Sequence, residues 1–212
     1  GFGMLEKNAL LINCDEIPRS TGKTLSEIFP NYIVDLTLRV RSAKTTLEEM
    51  QQKTIFMVDQ WCSDYEQKIR NLGGIGFFLG GIGPDGHIAF NVRGSDVNST
   101  TRLTGTNFET QAAAATDLGG IEISKNRLVI TIGLDTITAN PNATAIIIAA
   151  GEAKALVVKG ALENKIDNRY PASVLQRLEN ARFYLTNGAA IALEDSQRRA
   201  FENSSWDQVK RE

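Results

Sequence analysis

Solid apolar runs alternate with amphipathic stretches along this chain, and the two periodicities set out most of its predicted elements. Ala9 to Cys14 is apolar except for Asn13 and runs into Asp15, Glu16 and Pro18. It predicts a buried strand whose carboxyl end delivers acidic residues into a loop. Residues 17–43 are punctuated by Pro18, Gly22 and Pro30, with a short helix over Leu25 to Phe29. From Thr45 to Arg70 the pattern becomes that of a long amphipathic helix. Leu47, Met50, Ile55, Val58, Trp61, Cys62, Tyr65 and Ile69 recur at helical spacing, and Asn71 to Gly74 supply the stop. Ile75 to Leu79, Arg127 to Ile132, Ala143 to Ala150 and Arg182 to Thr186 predict further strands. Helices are predicted over Glu109 to Thr116, over Leu134 to Thr138, from Gly151 onward, over residues 171–178 and from Gly188 to about Phe201. Pro171 suits a first helical turn.

Strands that read as continuous apolar runs separated by helices are covered on both faces. The expected class is therefore α/β: a three-layer, mostly parallel, Rossmann-like sheet with helices on both faces, residues 1–212 forming a single domain. Ligands in such sheets sit beyond the carboxyl ends of the strands. Four features fall there: Asp15–Glu16, the Gly80 to His87 loop, the region after Ile132 and the turn at Gly151.

Composition narrows the function classes. The 212 residues suffice for one well-packed domain, and 42% hydrophobic with 23% charged residues is ordinary for a soluble globular protein. A net charge of -2 gives no electrostatic case for nucleic acid or an anionic membrane. The densest basic group, Arg39, Arg41 and Lys44, reads as a solvated face. Cys14 and Cys62 form neither a disulfide framework nor a metal cluster, which points to a reducing compartment, the cytoplasm. No apolar run reaches transmembrane length. The first ten residues lack the basic start and apolar core of a signal peptide, and an initial Gly before an internal Met suggests a tag remnant or a cut inside a longer protein.

The candidate chemistry centres on the loop GGIGPDGHIAFN, Gly80 to Asn91. Its glycines allow close backbone approach to a ligand, and Asp85 stands two residues from His87, the single histidine of the chain. A carboxylate beside an imidazole fixes its tautomer and keeps it in the working range of a general acid or base; the bland alternative is a tight turn with an incidental histidine. The loop is followed by no helix start, so it fails as a dinucleotide fingerprint. One histidine and two distant cysteines supply no recognisable metal-ligand set. Asp15 and Glu16 are candidates for a general base, and equally for capping or surface solvation. Lys154 lies where helix amides and an ammonium jointly hold a phosphate, or where a lysine is merely exposed. Arg102 is a similar case.

Gly80 to Asn91 resembles the signature loop of the glucosamine-6-phosphate deaminase/isomerase family; Pro84 is also seen in the related 6-phosphogluconolactonases, whereas the following HIAFN resembles the deaminases. NCDE at Asn13 to Glu16, TTR at Thr100 to Arg102 and GEAKA at Gly151 to Ala155 resemble further family segments, in family order. The resemblance implies Asp15 as the base that moves a proton between C2 and C1 of the opened sugar. It implies His87 as the group that assists ring opening, with Asp85 orienting or charging it. Lys154 would grip the phosphate, and Gly81, Gly83, Gly86, Asn91 and Arg102 would line the substrate site, with Glu16 a second acidic candidate. The implied reaction converts glucosamine 6-phosphate into fructose 6-phosphate and ammonium through an enolamine, without metal or organic cofactor.

Three departures bear on these expectations. Val92 stands where the deaminases place a glutamate that completes the histidine relay. A second phosphate-binding arginine aligns near Thr116, with no arginine close by. The family it resembles begins with a further strand and a Gly/Ser/Thr-rich phosphate loop, and no such loop precedes Asp15, so the fold is expected to lack its N-terminal part. The expected partners are accordingly a small-molecule sugar phosphate and either a second copy of the chain or the remainder of a longer one. The alternatives are a non-catalytic sugar-phosphate sensor or regulatory domain, and a lactonase acting on a phosphorylated sugar-acid lactone.

Overall fold

The computed structural model describes residue 5 and residues 9–13, 16–30, 33–118, 120–121 and 128–195, with the side chains of residues 114 and 116–118 outside the description. Contacts divide the chain into two compact units, Gly1–Asp64 and Tyr65–Glu212.

In the first unit, helix α1 (Leu25–Ile28) begins with a capping box. Thr24 accepts from the Glu27 amide while the Glu27 carboxylate takes the Thr24 amide. A 3-10 turn, Leu36–Arg39, follows behind Asp35, whose carboxylate accepts from Thr37. Ile28, Phe29, Leu38 and Ile55 form the small core of this unit, with Val34 against it. Around that core Arg39 holds Asp59, and Arg41 holds Asp35 and Glu48. Residues 9–13 are irregular rather than a strand. An apolar run becomes a strand only where its geometry suits a ladder, and the ladders among the described residues join Phe77–Gly81, Thr144–Ala149 and Asn180–Leu185, and Arg102–Gly105 with Leu128–Thr131.

Helix α2 (Thr46–Asn71) matches its pattern. Ile55, Val58, Cys62, Tyr65 and Ile69 recur every three or four residues and are buried. Its predicted stop is a left-handed cap: the Gly74 amide donates to Ile69 and the Gly73 amide to Arg70, with positive φ at both glycines.

The second unit is α/β with a mostly parallel sheet. Strands β1 (Phe77–Gly81), β4 (Thr144–Ala149) and β5 (Asn180–Leu185) form a parallel sheet in the order β1-β4-β5. Phe78, Ala145, Ile147 and Ala149 point to one face, into a core with Leu134 and Ile137 of α4 (Leu134–Thr138) and Val157, Val158 and Ala161 of α5 (Ala155–Glu163). Burying each such valine contributes about 1.5–3 kcal/mol. Phe77, Leu79, Ile148 and Tyr184, on the opposite face, are exposed. The predicted helix over residues 171–178 is a 3-10 helix, Pro171–Arg177, and residues 152–154 are likewise 3-10 before α5 begins.

A strand that no apolar run announces, β2 (Arg102–Gly105), pairs antiparallel with β3 (Leu128–Thr131) in a separate sheet. Helix α6 (Asn187–Ala190) ends at a turn over residues 191–193, and residue 195 is helical again; the remainder of the predicted span, from residue 196, lies outside the described residues. Helix α3 (Phe108–Leu118) matches the alanine-rich prediction.

A second feature of this unit is a buried carboxylate knot. Glu66 of α2 accepts from the Thr101 amide at 3.1 Å, the Thr101 hydroxyl at 2.8 Å, the Thr136 hydroxyl at 2.7 Å and Arg70 Nε at 2.7 Å. Arg70 reaches on to Asp135 at 2.8 Å. Burial, the largest influence, pushes the Glu66 carboxyl up, and the donors from Thr136, Thr101 and Arg70 outweigh it and hold the carboxyl below its ordinary value. At Gly133 the backbone meets the Ser99 carbonyl so closely that an added Cβ would lie 2.0 Å from its oxygen.

Candidate active site

The site grows from the carboxyl end of β1. Its loop turns back on itself where the Gly83 amide donates to the His87 carbonyl at 2.9 Å and the Gly86 amide to the Gly83 carbonyl at 3.1 Å. Gly86 has φ +87°, the left-handed conformation in which a side chain is strained. Its carbonyl accepts from the Ala172 amide, which ties the turn to the 3-10 helix. Gly83 is required for space: a Cβ there would sit 2.0 Å from the His87 ring. Gly81 remains in β1 with room for a Cβ, 3.7 Å from the Ile148 carbonyl oxygen.

The loop delivers Asp85 and His87 together. Asp85 Oδ1 is 2.5 Å from His87 Nδ1, and Thr110 Oγ1 lies 3.3 Å from the same nitrogen. Asp85 Oδ2 accepts from the Arg93 amide at 2.8 Å and from Asn107 Nδ2 at 2.6 Å. Asp85 is 2% exposed. Burial is the largest influence and raises its carboxyl; hydrogen bonds from His87, Arg93 and Asn107 together with the His87 charge outweigh it, holding the group well below the usual carboxylate range. Phe90 stacks beside the imidazole, with ring centroids 6.2 Å apart. Among the described residues His87 Nε2 has no hydrogen-bond partner, so an imidazole held through Nδ1 keeps its second nitrogen for proton exchange with a bound molecule.

Lys154 stands beyond the carboxyl end of β4, the strand next to β1. It is half-buried, its backbone amide donates to the Gly151 carbonyl, and its ammonium has no hydrogen bond or ion pair among the described residues. Burial pulls its ammonium below the usual lysine range, countered by the Asp85 charge. An ammonium left without a protein partner beside a histidine–carboxylate pair suits an anionic group of a ligand.

Asn91 and Arg102 are placed differently from a pair of free ligand donors. Asn91 is fully buried; its Nδ2 donates to the Ile88 and Ile132 carbonyls and its Oδ1 accepts from Arg102 at 2.8 Å. Arg102 also donates to Ser95 Oγ at 3.2 Å. The Asn91 amide thus locks the loop to the end of β3 and aims Arg102. Glu16 is exposed and accepts from Asn13 Nδ2 at 3.1 Å, closing a local turn. Asp15 lies outside the described residues. Among the described residues no group of three or more His, Cys, Asp and Glu side chains is arranged to hold a metal ion. No described helix is long and apolar enough to cross a membrane.

Sequence reasoning missed Asn107, Thr110 and the Arg93 amide. Asn107 ahead of an alanine-rich segment signals a helix cap, and its Oδ1 does accept from the Thr110 amide at 3.0 Å. Its bond to Asp85 had no signal in the local pattern.

No protein-family model matches the chain. Glucosamine-6-phosphate deaminase of Borreliella afzelii (strain PKo) is 34% identical over 154 residues, 69% of this chain and 57% of that protein. Glucosamine-6-phosphate isomerase of Candida albicans is 35% identical over 133 residues, 63% of this chain and 54% of that protein. Among solved structures, a monomeric glucosamine-6-phosphate deaminase superposes with a TM-score of 0.58 at 30% identity, over 64% of this chain and 55% of that one. The chain spans about half the length of the curated relatives it matches. Over the matched stretches this chain is similar in sequence and in fold to glucosamine-6-phosphate deaminases and isomerases.

Proposed function

We propose that the chain carries the core of a cytoplasmic enzyme that converts glucosamine 6-phosphate into fructose 6-phosphate and ammonium. The observation that carries this reading is the Asp85–His87 pair at the end of β1, with Nε2 unengaged among the described residues, beside the half-buried Lys154 at the end of β4. The relatives named above support the substrate class.

In this reading His87, held through Nδ1 by Asp85, protonates the ring oxygen of the bound sugar as the ring opens. Asp85 stabilises the imidazolium that alternates with the neutral ring. Lys154 holds the phosphate, and Arg102, aimed by Asn91, adds a second cation to the same region. Asp15 takes the proton from C2 and returns it to C1 through the enolamine. Water then adds at C2 and ammonia leaves, taking up a proton to become ammonium. The whole chain acts as a single domain of this type, with its partner a small sugar phosphate.

The test incubates the protein with glucosamine 6-phosphate in heavy water and follows proton NMR and ammonium in parallel. Deuterium at C1 or C2 with ammonium release supports the reading. Exchange without ammonium replaces it with an isomerase of another sugar phosphate, and saturable binding with neither signal replaces it with a sugar-phosphate sensor.

A further inference from the structure

Asn107 occupies an unusual position for a helix cap. It immediately precedes α3, and its Oδ1 accepts from the Thr110 amide at 3.0 Å, as an N-cap does. That bond fixes which end of the side-chain amide is which. Nδ2 must then face outward from the helix, and it donates to Asp85 Oδ2 at 2.6 Å. The same first turn brings Thr110 Oγ1 to 3.3 Å from His87 Nδ1. Asn107 therefore joins the start of α3 to the buried carboxylate, while Thr110 from the same turn faces the imidazole. Val92, half-buried beside the Arg93 amide, has no group that could do this.

We propose that Asn107 is a positioning residue for the Asp85–His87 pair: capped against α3, its amide holds the Asp85 carboxylate so that Oδ1 faces Nδ1–H of His87 and the free Nε2 faces the ligand. The assignment rests on His87 being the acid–base group of the proposed reaction. Donation from Asn107 spreads the Asp85 charge over two directions. Without it the charge turned toward His87 is stronger, the imidazolium gains, and the ring releases its proton at higher pH. The charged groups around His87 are Asp85 on its own loop, Arg93 in the turn that follows and Lys154 ahead of α5. The first turn of α3 adds exposed Glu109 and the neutral Asn107 and Thr110.

A helix cap alone and a cap that also positions the pair make different predictions. Asn107→Ser keeps a good N-cap but is too short to reach Asp85, whereas Asn107→Ala removes both functions. Because His87 is the single histidine of the chain, its imidazole nitrogens can be read without assignment by long-range 1H–15N correlation across pH. In the unmodified chain the neutral ring is expected to carry its proton on Nδ1. Both variants are expected to raise the titration midpoint by about half a pH unit or more, and only the alanine variant to lose resistance to urea. With turnover present, Asn107→Ser is expected to lower kcat about tenfold with KM within about twofold. A serine variant that titrates as the unmodified chain does, or a neutral ring protonated on Nε2, overturns the assignment. A displaced titration without ammonium release from any of the three proteins retires the deaminase reading and leaves the role of Asn107 standing.

Discussion

Two buried carboxylates, Glu66 and Asp85, are built from the same physics and differ in one respect. Each is pushed up by burial and drawn down further by its hydrogen bonds. Glu66 is surrounded by two threonines, a backbone amide and Arg70, a permanently charged partner that itself continues to Asp135. That knot is closed: each donor is consumed within the protein, and its product is the fixed geometry of the Thr101–Arg102 segment against α4. Asp85 is also saturated, but its charged partner is a histidine, whose second nitrogen has no partner among the described residues. A buried carboxylate with an arginine makes a fastener, whereas one with a singly held imidazole leaves a proton to be moved.

The largest expected effect tests the open knot. His87→Ala is expected to lower ammonium release from glucosamine 6-phosphate by about a thousandfold or more, with the urea midpoint nearly unchanged. An equal loss of stability would make Asp85–His87 a second fastener. Glu66→Ala tests the closed knot in the opposite sense. It strands the Thr101 amide and two threonine hydroxyls and is expected to cost about 3 kcal/mol in urea-induced unfolding, with much less effect on binding of the sugar phosphate if the protein remains folded.

Acid titration sharpens the same contrast at smaller amplitude. Both carboxyls lie lower in the folded chain than in the unfolded one, so their stabilisation is complete above the ordinary range, about pH 4, and is lost as pH falls through their folded values. Glu66→Gln is expected to flatten the fall in stability below about pH 4, at the cost of a lower plateau at pH 7, measured by urea unfolding at several pH values. The smallest effect belongs to Val92→Glu. It places a second acidic group near the Arg93 amide that serves Asp85, and a few-fold rise in deaminase kcat is expected. An unchanged rate in a folded protein would mean that the neutral donors of α3 already complete the relay.

The legible part of the molecule was the part with local periodicity. The apolar runs around Phe78, Ile147 and Phe183 announced three strands, and the spacing of Ile55 to Ile69 announced α2 and its glycine stop. Asp85 and His87 were visible because one tight loop carries both. What stayed hidden depends on partners far away in the chain. Arg102 to Gly105 is a strand only because Leu128 to Thr131 lies beside it, and the four residues from Arg102 to Gly105 are all half-buried, with no alternation to read. Glu66 carries no local sign of burial, because the Thr101 and Thr136 hydroxyls that hold it come from 35 and 70 residues away. The segment from Ala9 had the composition of a strand, but residues 9–13 are irregular, since hydrophobicity favours burial without fixing a strand's geometry.

The adjacency of β1 and β4 also governs the order in which such a site can come into being. Gly81 and Ile148 are register partners, so the Asp85–His87 loop and the Lys154 turn become neighbours only when a chain segment of roughly 65 residues has closed. That long-range parallel pairing belongs to the slow, entropically costly part of folding. The Asp85–His87 pair needs only its own loop and α3, whereas the Lys154 cation joins it only where β1 and β4 have paired. Binding of an anionic ligand there would accordingly reward the closed β1–β4 pairing, and the ligand would act on the chain as a stabiliser of that contact.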